Sequence, residues 1–230
     1  MCGFSRRFDS SYREAWDHMD SGALGRPTIV RSQTCDKHDP SPFFVEYSKT
    51  SGGIFVDQSI HDIDLALWFL GNDTQVKSVS AIGVAAVHPD LAKHGDVDNG
   101  VGLVEFYNGK MAYFYGSRMM ATGQHDMTEI IGTKGKVTVN ANPQSSLVEK
   151  HEADGIRKEI PQHYYGRFEY AFVNEANDFT AACLDNAELP LKLQGAVEAV
   201  RIGCYLQEAL RAGKRIDFDQ MGHRIEKARL

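Results

Sequence analysis

An α+β fold is predicted, built as an open, predominantly antiparallel sheet with helices packed on one face. Three observations carry it: β-rich runs separated by turn signals from Val76 to Asn140, an apolar helix-like stretch before them, and two amphipathic helical stretches that close the chain. Met1-Cys2-Gly3-Phe4 reads like the end of a strand. Ser11 and Glu14 then have the spacing of a capping box, with Tyr12, Ala15, Trp16 and Met19 at helical intervals until Gly22 and Gly25. Thr28–Thr34 has the β-branched density of a strand, and a loop with Pro40 and Pro42 runs from Cys35 to about Ser51. Gly52 and Gly53 open a helix that Gly71 ends.

The texture then changes to sheet. Val76–Val87 is one β-rich run, and Val101–Tyr107 and Lys110–Gly116 flank the hairpin dipeptide Asn108-Gly109. Met127–Ile131 and Lys136–Asn140 flank a second turn at Gly132–Gly135, and short strands are expected near Ser145–Glu149 and Gly155–Ile160. In Tyr164–Leu184 the residues Phe168, Phe172, Phe179 and Cys183 share a face. In Leu193–Ala212 so do Leu193, Val197, Val200 and Cys204. All 230 residues are expected to form one domain, with 213–230 as a C-terminal tail.

Composition narrows the function classes. The chain has 25 Lys+Arg against 31 Asp+Glu, a net charge of −6, which gives no basic footprint for nucleic acid. No apolar run is long enough for a membrane span and no leader pattern opens the chain. Four scattered cysteines without a C-x-x-C pair argue against a disulfide framework or structural zinc and for a cytoplasmic setting.

The chemistry-bearing segment is Gly52–Gly71. On a continuous helix Asp57, His61, Asp64 and Trp68 fall on one side, while Val56, Ile60, Ile63 and Leu67 form an apolar stripe. A carboxylate four residues from an imidazole can hold its tautomer and raise its pKa, as proton transfer near neutral pH requires. The two glycines would let backbone approach a ligand at the helix start. Two other readings stay open for these residues alone: Asp57 caps the helix while His61 and Asp64 are solvated, or Asp57, His61 and Asp64 ligate a metal.

The pattern Gly52-Gly53-x-x-x-Asp57-x-x-x-His61-x-x-Asp64 resembles the signature of the glucose–fructose oxidoreductase/inositol dehydrogenase (Gfo/Idh/MocA) superfamily. Gly3–Asp9 with Tyr12, Ser21–Gly25, Glu129–Gly135 and Arg167–Glu175 resemble its flanking motifs, and Glu46–Phe55 resembles the inositol 2-dehydrogenase branch. The resemblance implies the substrate domain of an NAD(P)-dependent polyol or sugar dehydrogenase, with a sheet like that of the dihydrodipicolinate reductase C-terminal domain. Residues 1–5 would then be a remnant of the last Rossmann strand.

It also implies that His61 is the acid/base and that Asp57 orients the substrate and His61. Asp64, Gln124 and His125 are further substrate-contact candidates, and Arg6, Arg7 and Asp9 would brace the domain junction. The family's Glu-Lys-Pro motif and G-x-G-x-x-G turn do not occur. Gly100-Val-Gly102 lies in a predicted strand, so the cofactor expectation is none for this chain alone and NAD(P) only with an upstream Rossmann domain. Lys37 or Lys49 could be imagined in place of the family's catalytic lysine.

Two other classes compete with this reading. One is a stand-alone isomerase, dehydratase or cyclase using Asp57 and His61, and the other is a non-catalytic binding module. Apolar residues on both sides of Val101–Tyr107 predict a homodimer through the uncovered sheet face.

Overall fold

Asp9 starts the first helix. Its carboxylate accepts hydrogen bonds from Ser11 N (3.1 Å) and Tyr12 N (3.2 Å), so α1 spans Ser10–Asp20. The expected Ser11–Glu14 capping box is therefore overturned, because Ser11 already lies inside the helix. Met1–Phe4 form no strand and lead into a short 3-10 turn at Ser5–Phe8. The structure, a computed structural model, describes residues 1–71 and 74–225.

Strand β1 (Pro27–Lys37) runs three residues past the expected Thr34, and the expected loop contains a short helix, α2 (Phe43–Ser48), behind Pro42. The Gly52–Gly71 stretch is two helices, α3 (Ile54–Asp57) and α4 (Ile60–Leu70). Then follow β2 (Val76–Val84), a 3-10 turn (Pro89–His94), β3 (Asn99–Phe106), β4 (Met111–Met120), β5 (His125–Gly132) and β6 (Lys136–Val139). The outlying hairpin is β7 (Glu149–Glu152) with β8 (Gly155–Lys158), the first strand lying later than the expected Ser145–Glu149. Helices α5 (Tyr164–Leu184) and α6 (Leu193–Ala212) have the expected bounds. The predicted tail is partly sheet, since β9 (Ile216–Asp217) pairs with β2; residues 226–230 of it lie outside the described residues.

The main sheet has the order β6-β5-β1-β4-β3-β2-β9. Every pairing is antiparallel except β1 with β4, so the predicted class holds. Alternation along β3 buries Gly102, Val104 and Phe106 toward the helices and turns Leu103 outward. With Val30, Val79, Ala112, Phe114 and Ile130 these residues form the core beneath α4 and α6. On the other side Leu103, Met111 and Ile82 are exposed.

The expected apolar row of α6 is real but faces outward, with Leu193, Val197 and Val200 exposed. The buried side is Ala196, Ala199, Ile202, Gly203 and Leu206. Small residues win there because α6 packs on backbone: a Cβ at Gly203 would lie 2.7 Å from the Phe55 carbonyl oxygen.

Candidate active site

The site is built where α3 stops. Ser51-Gly52-Gly53 turns the chain into α3 with Gly53 at φ 102°, and a Cβ on Gly53 would sit 2.3 Å from the Gln207 side chain. Gln207 Oε1 accepts from Phe55 N (3.3 Å) and Asp96 Oδ1 from Ile54 N (2.9 Å). The helix start is thus capped by α6 and the loop before β3. The space expected for a ligand at these glycines is taken by Gln207 at Gly53 and by Val56 at Gly52.

Gln58, at φ −110° and ψ −60°, ends α3, and Ser59 N reaches back to Ile54 O at 3.0 Å across five residues. This wide turn inserts one residue before α4. Asp57 and His61 therefore do not stand one regular turn apart, and no hydrogen bond joins them among the described residues.

Asp57 is instead held by Arg118 from β4. Arg118 Nη2 donates to Asp57 Oδ1 at 2.5 Å, with the two side chains 1% and 4% exposed. The Phe44 ring lies 4.8 Å from the guanidinium carbon. Burial raises the Asp57 pKa, and the Arg118 charge opposes that rise. Asp57 Oδ2, and Nε and Nη1 of Arg118, are buried without a hydrogen-bond partner.

His61 packs edge-on against Phe4, 6.0 Å between ring centroids, and its Nδ1 is also buried and unpartnered. Burial, and then the positive charge of Arg6, push its pKa down to about 3. The expectation that Asp57 raises the His61 pKa is overturned, because the break removes the contact. The imidazole is neutral at physiological pH and can accept a hydrogen bond, but at this pKa it is a weak proton acceptor in the ligand-free chain.

The other candidates are tied into the scaffold. Asp64 takes a two-pronged contact from Arg7, 2.8 Å from Nε and 2.6 Å from Nη2, which engages both carboxylate oxygens. His61 and Asp64 remain three residues apart on α4, while Asp57 lies beyond the break; among the described residues no group of three or more His, Cys, Asp or Glu side chains could hold a metal, which overturns the reading of Asp57, His61 and Asp64 as metal ligands. Gln124 donates to both oxygens of Asp126 at 3.2 Å. His125 sits 3.4 Å from Gln33 Nε2, its Nε2 is buried without a partner, and burial lowers its pKa. Lys37 bonds Gln162 and Lys49 pairs with Glu46 at the surface, so neither has the desolvated setting of a catalytic lysine.

Sequence reasoning missed Asp62. Fully buried beside Asp64, it accepts from Arg6 Nη1 (2.8 Å), Ser32 Oγ (2.6 Å) and Thr34 Oγ1 (2.7 Å). Arg6 also reaches Thr34 and Asp126, and Tyr12 and Thr128 join through their hydroxyls. Burial works against the Arg6 charge, but Asp126 and Asp62 outweigh it and raise its pKa. Burial lifts Asp126 to about 6. Arg118 was missed too; 61 residues from Asp57, it carries no local signal.

Gly100-Val-Gly102 is not a phosphate-binding turn. Gly100 and Gly102 lie within β3, and a Cβ on either would meet the Phe55 ring at 3.1 and 2.9 Å, so these glycines admit Phe55 rather than a pyrophosphate.

Comparison with known proteins agrees with the fold. Residues 12–138 match the GFO/IDH/MocA C-terminal domain. An uncharacterized oxidoreductase of Bacillus subtilis (strain 168) is 33% identical over 94% of the chain, and the scyllo-inositol 2-dehydrogenase (NAD(+)) of the same organism is 32% identical over 94%. The chain spans 62% of the length of each. A crystal structure of scyllo-inositol dehydrogenase from Lactobacillus casei, with bound NAD(H) and scyllo-inositol, superposes with a TM-score of 0.88 at 34% identity, covering 94% of this chain and 64% of that one.

Proposed function

Because this chain belongs to the GFO/IDH/MocA family through its C-terminal domain, we propose that it supplies the substrate-binding and proton-accepting part of an inositol-type polyol dehydrogenase. One observation carries the reading: Asp57 Oδ2 and His61 Nδ1 are both buried and unpartnered on either side of one helix break. Leaving such a group unsatisfied costs about 1–3 kcal/mol, which a hydroxyl-bearing ligand can relieve.

A polyol offers hydroxyls that donate to a carboxylate and to a neutral imidazole. Asp57 would fix one hydroxyl and the neutral His61 would accept a hydrogen bond from another; it would take that proton, as the alcohol carbon gives up hydride to the NAD(P) held elsewhere, only once the assembled site raises its pKa from the low value of the ligand-free chain. Nucleotide binding is not assigned to the described residues; NAD(P) would be held elsewhere in the working enzyme. The exposed Ile82, Leu103 and Met111 support a homodimer through the open sheet face, and the single-domain organisation and cytoplasmic setting are kept as part of the same reading.

The test is titration of the 230-residue chain with scyllo-inositol and myo-inositol, alongside His61→Gln. Saturable binding weakened about tenfold or more by the substitution, roughly the loss of one hydrogen bond, supports the reading. Equal binding by both proteins, or none by either, refutes it.

A further inference from the structure

We propose that Arg118 is a positioning residue of this site: its guanidinium holds Oδ1 of Asp57 and so presents Oδ2 to the bound hydroxyl. The inference deepens the polyol reading and rests on it. Its structural basis is the division of labour between the two oxygens: Arg118 donates to Oδ1 at 2.5 Å, while Oδ2 is buried with no donor in hydrogen-bond geometry, the Ser51 hydroxyl acting on the carboxylate without closing that second oxygen. A carboxylate gripped on one oxygen by a rigid planar cation keeps its second oxygen in a fixed direction.

The grip is itself braced. Arg118 N donates to Asp98 O at 2.8 Å, and Phe44 covers the guanidinium face. Asp98 is in turn fixed by the backbone N–H groups of Ala86, Val87 and His88 at 2.7–2.8 Å. The remaining groups acting on Asp57 are the Ser51 hydroxyl, which favours its charge, and Asp96, which opposes it. Arg118 is the positive charge in direct contact, so it both aims the carboxylate and opposes the upward push of burial on its pKa.

A purely structural ion pair tying β4 to α3 would need no particular head group, and the test uses that difference. The Asp57 carboxyl carbon is followed by NMR through a pH titration, and scyllo-inositol binding is measured in parallel, for the wild-type chain, Arg118→Lys and Arg118→Met. The Met variant should raise the Asp57 midpoint by about one unit or more. The Lys variant keeps a charge but loses the rigid planar head group, so it should hold the midpoint nearer the wild-type value while weakening polyol binding about tenfold.

If the Met variant does not fold, the Lys variant decides: wild-type polyol affinity in Arg118→Lys overturns the proposal, and a folded protein with weakened affinity upholds it. An unchanged Asp57 midpoint in a folded Arg118→Met protein also overturns it. A wild-type chain that binds no polyol refutes the functional reading and, with it, the presentation of Oδ2 to a hydroxyl. The Asp57 midpoint then still decides separately whether Arg118 controls that carboxylate.

Discussion

Two buried polar regions flank α4, and they differ in how completely their hydrogen bonds are satisfied. Around Arg6, the carboxylates of Asp62 and Asp126 are each met by a cation and by neutral donors from Ser32, Thr34 or Gln124. Around the α3–α4 break, Asp57, Arg118 and His61 each keep at least one buried atom without a partner. A closed network is what a scaffold needs, because every unmatched buried group costs free energy. Unpartnered buried atoms also occur at His88, Asp96 and His125, but at the α3–α4 break a carboxylate, a guanidinium and an imidazole all carry them, and it is this clustering that the proposed ligand would relieve.

The sharpest way to break that contrast is Arg6→Met. It leaves two carboxylates buried without their cation, and a loss of about 3–5 kcal/mol in urea unfolding is expected. A loss under about 1 kcal/mol would mean that the closed network is not what holds this region. Next in size is Gly53→Ala, which drives a methyl into Gln207 at a positive φ; a cost of about 1–3 kcal/mol should appear in thermal or urea unfolding. Full stability in that variant would show that Gln207 is free to move aside.

The open region should respond to pH instead. His61 has a folded pKa of about 3 against 6.5 for the free group, so between those values the unfolded chain binds the extra proton. Its contribution to stability is therefore intact above about pH 6.5 and is lost as pH falls toward 3. His61→Gln should cost less than about 1 kcal/mol at pH 7 and should flatten the acid side of the stability curve by on the order of 1–2 kcal/mol between pH 7 and 4. Asp126 acts with the opposite sign. Its raised pKa makes the folded state the better proton binder between about 4 and 6, so its contribution falls as pH rises through that window. Smallest of all, Glu129→Gln at the half-exposed Arg31 pair should change stability by no more than about 0.5–1 kcal/mol.

Elements whose signal is local were legible in the sequence. The bounds of α5 and α6 follow from apolar periodicity, and the β3–β4 hairpin follows from Asn108-Gly109. The break at Gln58–Ser59 was not, since neither residue is a helix breaker. Gln58 is instead drawn out by bonds to Asp36 and to the Ser117 carbonyl, contacts that exist only once β1 and β4 are in place. Asp57 and His61 stood out as residue types, yet their relation could not be read because it depended on that break. Asp62 carried no local signal, since its partners lie 28 to 56 residues away. Arg118, in an apolar strand, became visible only through the carboxylate it grips.

The most direct measurement of the central claim is a titration of the 15N-labelled chain with scyllo-inositol, following the His61 ring nitrogens. The account predicts saturable shifts of those resonances at neutral pH, with the imidazole starting neutral. Imidazole signals that stay fixed through saturating polyol, or a ring already protonated at pH 7 before any ligand is added, would contradict it.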